Sequence, residues 1–386
     1  MGDETGWTPL DGVKLLDFTP LLPGPFATEI FADLGADVIK IEPPGGEFGR
    51  RVLGEAFAMS NRNKRSVVLD LKNPDTAAIV ARLAEWADVA AESFRPGVAD
   101  RLGIGYEALK KINPSIVYCS VSGYGQDGPA RLAPGHDLNY LATAGALSFS
   151  GHYLEKPRRS GLPVADCASG FMAAIAILAA LRDRDRTGKG AYLDVAIAEA
   201  ALMLAATRGT GVDPDAKAHL HATNEMFECA DGRLVTIGLV EAHFWDNFRD
   251  AVAGMEPRVT DPKYATLESR AENGTELVGL LAEIFAQKTS ADWEAFFAGK
   301  DVPLEKVLKP AEALETDQVK ARRRVTDHGG ERHVVFPVHA NGAPAGAFRR
   351  PPPAPGADTA EVLDEIGFGA DEIAALGRSG ALGGAS

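Results

Sequence analysis

The sequence predicts an α/β protein: a large domain built on a mostly parallel sheet, joined to a smaller α+β domain. Three observations carry this. Short apolar runs alternate with helical patterns of ~10–15 residues through the first part of the chain, as βαβ units do. From about residue 222 the texture changes to a hairpin followed by helices. Hydrophobic residues are 45% and charged residues 24% of 386 positions, enough to fill the cores of two or three domains.

The elements follow in order. KLLDFT (14–19) is apolar and bounded by turns, a first strand. GPFATEIFADLGA (24–36) sets Phe26, Ile30, Phe31 and Leu34 on one helical face. DVIKIE (37–42), SVVLDL (66–71), DVAAESF (88–94) and SIVYCSVSG (115–123) read as further strands. PDTAAIVARLAEWA (74–87) is an amphipathic helix with Pro near its first position. FMAAIAILAALR (171–182) is Ala-rich and reads as a buried helix, too short for the ~20 residues of a membrane span. FECADGRLVTIGL (227–239) is a hairpin turning at Asp231-Gly232. AHFWDNFRDAVAG, TELVGLLAEIFAQKT and SADWEAFFAGK follow as helices, and HVVFPV (333–338) is strand-like. The Pro- and Gly-rich stretch 341–359 is an extended connection to one or two short helices, and GALGGAS (380–386) frays. The expected division is a large domain over 1–210, completed by 330–386, and a small domain over 222–325.

Charge and cysteine content narrow the function. A net charge of −14 argues against nucleic acid or an anionic membrane surface as partner. Cys119, Cys167 and Cys229 have no paired spacing, so neither a zinc site nor a disulfide framework is expected, and a reducing cytosol is. The opening MGDETGWTPLDG is acidic and polar, unlike a signal peptide. The first strand ends in TPLLPGPF rather than a GxGxxG turn, and there is no Walker A, HExxH or GxSxG sequence.

What remains is ionisable residues at loop-to-helix junctions. Asp166, in GLPVADCASGFMAA, heads the most apolar helix among small neighbours that would let a ligand approach. A helix cap, worth about 1 kcal/mol, is the plainer account of it. His136 and Asp137, in APGHDLNY (133–140), open a helical pattern just after a Pro-Gly turn. A cap and a packed histidine would explain them. So would an oxyanion site at a helix N-terminus with a histidine for proton transfer. Glu241, in IGLVEAHFW, follows a strand directly and reads first as a helix cap, with His243, Phe244 and Trp245 as packing. RNKRS (62–66), Lys72, Arg95 and Arg101 are basic residues in loops after successive strands. They are either surface charge or a cradle for an anionic cofactor.

GADVIKIEPPGG, RNKRSVVLDLKNP, SFRPGVADRLGIGYE, NPSIVYCSVSGYGQDGP, PGHDLNYLATAGAL and RTGKGAYLDVAIAEAAL together resemble the class III CoA-transferase superfamily, which includes α-methylacyl-CoA racemase. The likeness runs in order over residues 10–250, and the closing PPP…EVL…IG extends it. The resemblance implies a Rossmann-like large domain, an interlocked homodimer and an acyl-CoA thioester as ligand. It implies no metal and no tightly bound cofactor, coenzyme A entering as part of the substrate, with a place in lipid metabolism. It places CoA contacts at Leu21, Leu22, Leu69, Lys72, Ser93, Phe94, Arg95, Arg101 and Leu102. Pro43 stands where some transferases carry an arginine near the adenine. The segment 207–229 is shorter than the stretch that lines the acyl path in racemases.

Within that family two chemistries compete for the same aspartate. Transferases use it as a nucleophile, through an anhydride and an aspartyl-CoA thioester. Racemases use it as an acid/base beside a histidine in a GHD motif and a glutamate after the ADGR hairpin. Asp166, His136 and Glu241 stand at those three places. Inverting the carbon next to a thioester needs proton carriers on two faces. The resemblance therefore implies Asp166 on one face, His136 polarised by Glu241 on the other, and Asp137 in an orienting role. The expected activity is inversion at C2 of a 2-methyl-branched acyl-CoA; CoA transfer is the alternative.

Overall fold

The computed structural model describes residues 7–153, 155–214, 220–328 and 330–383. The middle of the 207–229 segment and the last three residues of the tail lie outside the described residues. Two compact units divide the chain. The first comprises residues 1–144, 162–204 and 317–386; the second comprises 145–161 and 205–316. Residues 145–161 thus group with the smaller unit, and 317–329 with the larger. The sequence reading has 145–161 in the large domain, because no composition break marks either point where the chain leaves and re-enters the sheet.

The first unit is built on six strands: β1 (Lys14–Asp17), β2 (Asp37–Glu42), β3 (Arg65–Val68), β4 (Val89–Glu92), β5 (Val117–Ser122) and β6 (Ala191–Ala196). All pair in parallel, in the order β3-β2-β1-β4-β5-β6. This is the doubly wound Rossmann order, in which the strand sequence reverses between β1 and β4. β3, β4 and β5 are buried along their whole length. That is why they read as continuous apolar runs rather than alternating ones.

The longest helix, Val164–Thr187, packs on this sheet and on the first helix, Pro23–Asp33. It is longer than the apolar run that announces it. By length and mean hydropathy it could cross a membrane, yet half of its apolar window is packed inside the protein. It is not buried all round, as the sequence suggests. Phe171 and Ile175 are 49% and 57% exposed. Four residues apart, they form an apolar stripe on one face.

The RNKRS run holds the largest difference from expectation. Arg62, Lys64 and Arg65 are buried and already neutralised within the fold. Arg62 grips Asp33 and Glu29, Lys64 grips Asp17, and Arg65 binds Asp37 and Glu365. They are the inner faces of ion pairs, so they do not form an anion cradle. Their charge is visible in sequence; the carboxylates that consume it lie 28 to 300 residues away.

The C-terminal connection is stitched down rather than loose. The Arg349 and Arg350 N–H groups donate to Asn63 Oδ1 at 2.6 and 3.0 Å. Asp358 accepts the Ser66 N–H at 2.8 Å, just before the helix Thr359–Glu365. In the HVVFPV stretch only the first residues are strand, in a hairpin of Glu331–Val334 with Val325–His328.

In the second unit β7 (Met226–Glu228), β8 (Leu234–Ile237) and β9 (Leu304–Lys306) form an antiparallel sheet. The β7–β8 turn falls at Asp231-Gly232, where Gly232 takes a φ of 71° that a side chain would resist. Helices Ala242–Val252, Gly274–Phe285 and Ser290–Phe297 close over it around Trp245, Phe248, Phe285 and Trp293.

Candidate active site

The reversal between β1 and β4 opens a crevice at the carboxyl ends of the sheet, where ligands of such folds bind. Two loops form it. The loop after β1 carries Leu21 and Leu22, both half-buried. The loop after β4 carries Ser93, Phe94 and Arg95, and Ser93 Oγ reaches the Pro20 carbonyl at 3.5 Å. The turn Val98–Arg101 follows, ending at Leu102. Arg95, Arg101 and Lys72 are exposed, unlike the RNKRS charges, and remain available to an anion. Leu69 differs from the rest: its side chain is 1% exposed inside the core, and its N–H bonds to the Glu42 carbonyl. It shapes the loop after β3 and offers a ligand only its carbonyl. Beside Arg95 a depression of about 310 Å³ is walled by Glu92, Asp100, Tyr106, Tyr118 and Tyr192. Burial pushes the Glu92 carboxyl up to about 7.

The Asp137 carboxylate ties the start of the long helix, where Asp166 stands, to the turn that carries His136. The long helix starts at Val164 behind Pro163, which has no side chain able to cap it. Asp137 supplies the cap from another element: its Oδ1 accepts the N–H groups of Ala165 at 2.7 Å and Asp166 at 3.2 Å. Those are the second and third helical positions, the ones an N-cap side chain ordinarily satisfies. Asp166 is therefore not the cap. It sits in the first turn, with no hydrogen bond to its carboxylate among the described residues, free for chemistry.

His136 stands directly before Asp137, in extended backbone at the head of the short helix Asp137–Thr143. Its N–H is taken by Asn139 Oδ1 at 3.0 Å; its ring is exposed and makes no cap hydrogen bond. The Tyr140 hydroxyl, donating to the Gly135 carbonyl at 2.7 Å, clamps this turn. A Cβ on Gly135 or Gly123 would strike the Tyr140 ring, at 2.7 and 2.6 Å. Tyr140 is a site-forming residue that sequence reasoning passes over. Its only signal is the spacing that returns it to Gly135.

Burial and the nearby negative charge of Asp137 together push the Asp166 carboxyl up to about 7. The same burial, with the Asp166 charge, drives the Tyr140 phenol up to about 12. The Cys167 thiol is also raised, by burial first and then by Asp166, so it stays protonated and unreactive. Near neutral pH Asp166 can thus both take and give a proton. Glu241 belongs to the second unit, as the residue before helix Ala242–Val252, with an exposed side chain and no cap hydrogen bond. Beside it Trp245 is core, and His243 and Phe244 rings lie 4.0 Å apart. Among the described residues no group of three or more His, Cys, Asp or Glu side chains is placed to hold a metal ion.

A Rossmann-like sheet with a crevice at its switch point and a carboxyl raised to about 7 beside it defines an α/β fold of the class that binds ligands at the carboxyl ends of its strands. The chain belongs to CoA-transferase family III, whose family model matches residues 10–359. It is 34% identical to an acyl-CoA transferase of Fusarium pseudograminearum over 97% of this chain and 88% of that protein. It is 34% identical to the α-methylacyl-CoA racemase of Homo sapiens, over 94% of this chain and 95% of the other. The crystal structure of a CAIB/BAIF family protein from Brucella suis superposes with a TM-score of 0.82 at 29% identity, covering 93% and 99% of the two chains. Members of the family are enzymes that act on CoA thioesters, and they include both racemases and transferases.

Proposed function

We propose that this protein is an acyl-CoA racemase or epimerase that inverts C2 of a 2-methyl-branched acyl-CoA by 1,1-proton transfer. The observation that carries this is the joint at Asp137. The Asp137 carboxylate binds the Asp166 N–H at 3.2 Å, and His136 is the residue next to Asp137 in the chain, which supports a shared role for the two proton carriers. Asp166, with its pKa near 7, takes the C2 proton from one face. The electron pair moves into the thioester as an enolate. His136 returns a proton to the other face, and the two carriers re-equilibrate with solvent. The Asp137 N–H, without a partner among the described residues, is a donor for the enolate oxygen. CoA lies over Leu21, Leu22, Ser93, Phe94 and Leu102, with Lys72, Arg95 and Arg101 toward its phosphates and the Leu69 carbonyl alongside. No metal takes part. Two chains work as a homodimer in the cytoplasm; the uncovered stripe of Phe171 and Ile175, with Leu202 and Met203 on another helix more than half exposed, supports self-association.

The test is exchange in D2O. With (2R)-2-methylacyl-CoA and no acceptor acid, deuterium at C2 and the 2S epimer are expected by mass spectrometry and NMR. No incorporation across a panel of branched acyl chains would sink the proposal. A second reading, CoA transfer, draws support from the unbonded Asp166 carboxylate, which is free to attack a thioester carbonyl. That route leaves an aspartyl-CoA thioester, which hydroxylamine cleaves; a racemase leaves none.

A further inference from the structure

Leu21 is one of few non-glycine residues with a left-handed backbone, at φ 66°. For an L-residue this conformation is strained, because Cβ crowds the carbonyl oxygen. Such strain persists only where surrounding structure over-determines it, commonly at functional sites. What holds Leu21 is a carboxylate: its N–H donates to Glu47 Oε2 at 2.9 Å. Glu47 is buried, and its other oxygen pairs with Lys40 Nζ at 3.0 Å. Lys40 Nζ in turn donates to the Thr19 carbonyl at 2.8 Å. The Thr19 N–H goes to Asp17 Oδ1 at 2.9 Å, and Asp17 is paired with Lys64. Three backbone groups of one short loop are thus gripped by buried charges from β1, β2 and the loop after β2.

Stability alone does not explain this choice. A buried ion pair is often no more stable than the apolar pair that would replace it, whereas it can select one conformation. The loop leads directly into the first helix, Pro23–Asp33, which is seated on the face of the long helix that carries Asp166. Gly170, one turn along that face, approaches so closely that a Cβ there would lie 2.9 Å from the Pro23 carbonyl and 2.7 Å from Phe26.

We infer that Glu47, set by Lys40, is a positioning residue: it holds Leu21 and Leu22 in the shape that receives the CoA thioester beside Asp166. This deepens the CoA site proposed above and rests on it. Glu47 touches no substrate; it acts through the Leu21 backbone.

The experiment measures CoA binding by calorimetry in Glu47→Gln, which keeps the shape and loses the charge, and Glu47→Asp, which keeps Lys40 paired and withdraws from Leu21. Each is expected to weaken CoA about tenfold, the worth of one charge-assisted hydrogen bond. Leu21→Gly, which adopts the left-handed conformation without strain, is then added to each. It should recover about threefold or more of the affinity lost to the Glu47 change, measured against Leu21→Gly alone, which itself loses the Leu21 contact with CoA. A purely structural Glu47 would show no such rescue. Binding within about twofold of the unaltered protein in Glu47→Asp, or no recovery with Leu21→Gly, overturns the inference. If Glu47→Gln does not fold, Glu47→Asp decides. Absence of CoA binding by the unaltered protein overturns the inference together with the CoA site. CoA binding without C2 exchange removes only the racemase reading.

Discussion

Replacing Asp166 by asparagine should stabilise the protein, and do so only above acidic pH. In the folded state its carboxyl is raised from 3.8 to about 7 by burial and by Asp137. A raised carboxyl costs nothing below the unfolded pKa, where both states carry the proton. The cost grows as pH climbs from about 4 to about 7 and is constant above that. The shift of about three units corresponds to at most about 4 kcal/mol, and partial solvent access brings the expectation to about 2 kcal/mol. Asparagine resembles the protonated acid in shape and cannot ionise, so it escapes the cost. Urea unfolding followed by circular dichroism at pH 4, 5.5, 7 and 8.5 should show Asp166→Asn equal to the unaltered protein at the lowest pH. It should be more stable by about 2 kcal/mol at the two highest. A pH-independent difference, or a less stable variant at pH 8.5, would refute the account of how this carboxyl is poised.

Asp137→Ala removes the cap of the long helix and should cost about 1–2 kcal/mol in the same assay at pH 7, with activity lost because the His136 turn detaches. Equal stability would mean that the two N–H bonds are incidental. His136→Ala should abolish most C2 deuterium exchange while leaving CoA affinity within about twofold; retained exchange would remove His136 from the mechanism. Lys64→Met strands the buried Asp17 carboxylate, which Lys64 and Lys40 hold well below its ordinary range against burial. A loss of about 3–5 kcal/mol in guanidinium unfolding is expected; a neutral change would show that the pair is dispensable.

Legibility in the sequence followed the range of the interaction. Strands such as Asp37–Glu42 were readable because apolar runs between turn residues report local burial, and the β7–β8 hairpin because Asp231-Gly232 dictates its own turn. Asp166, His136 and Asp137 were nameable from composition at helix starts and from the resemblance. Their division of labour was not, because it depends on Asp137 reaching across 28 residues to cap a helix whose own cap position is a proline. The same limit explains the RNKRS run. Five polar letters in a row read as surface charge, and only the folded sheet shows that β1, β2 and the first helix present a carboxylate to each of its three cations.

Two carboxylates at one helix terminus have acquired opposite tasks, and the geometry gives the reason. A helix N-terminus offers a few unpaired N–H groups and a partial positive charge, which favour one anion. Asp137 takes the N–H groups of Ala165 and Asp166, so the favourable field and the hydrogen bonds are spent on it. Asp166, in the same first turn, receives burial and the repulsion of its neighbour and no compensating bond, and its pKa moves to about 7. Pairs of acids whose surroundings separate their pKa values are how one site keeps a fixed anion and a mobile proton at the same pH. The Asp166 shift depends on burial first and on the Asp137 charge second. Asp137→Asn keeps the carbonyl acceptor and removes the repulsion, so it should lower the Asp166 pKa and move the acidic limb of the pH–rate profile toward lower pH. An unmoved limb would mean that burial alone sets Asp166.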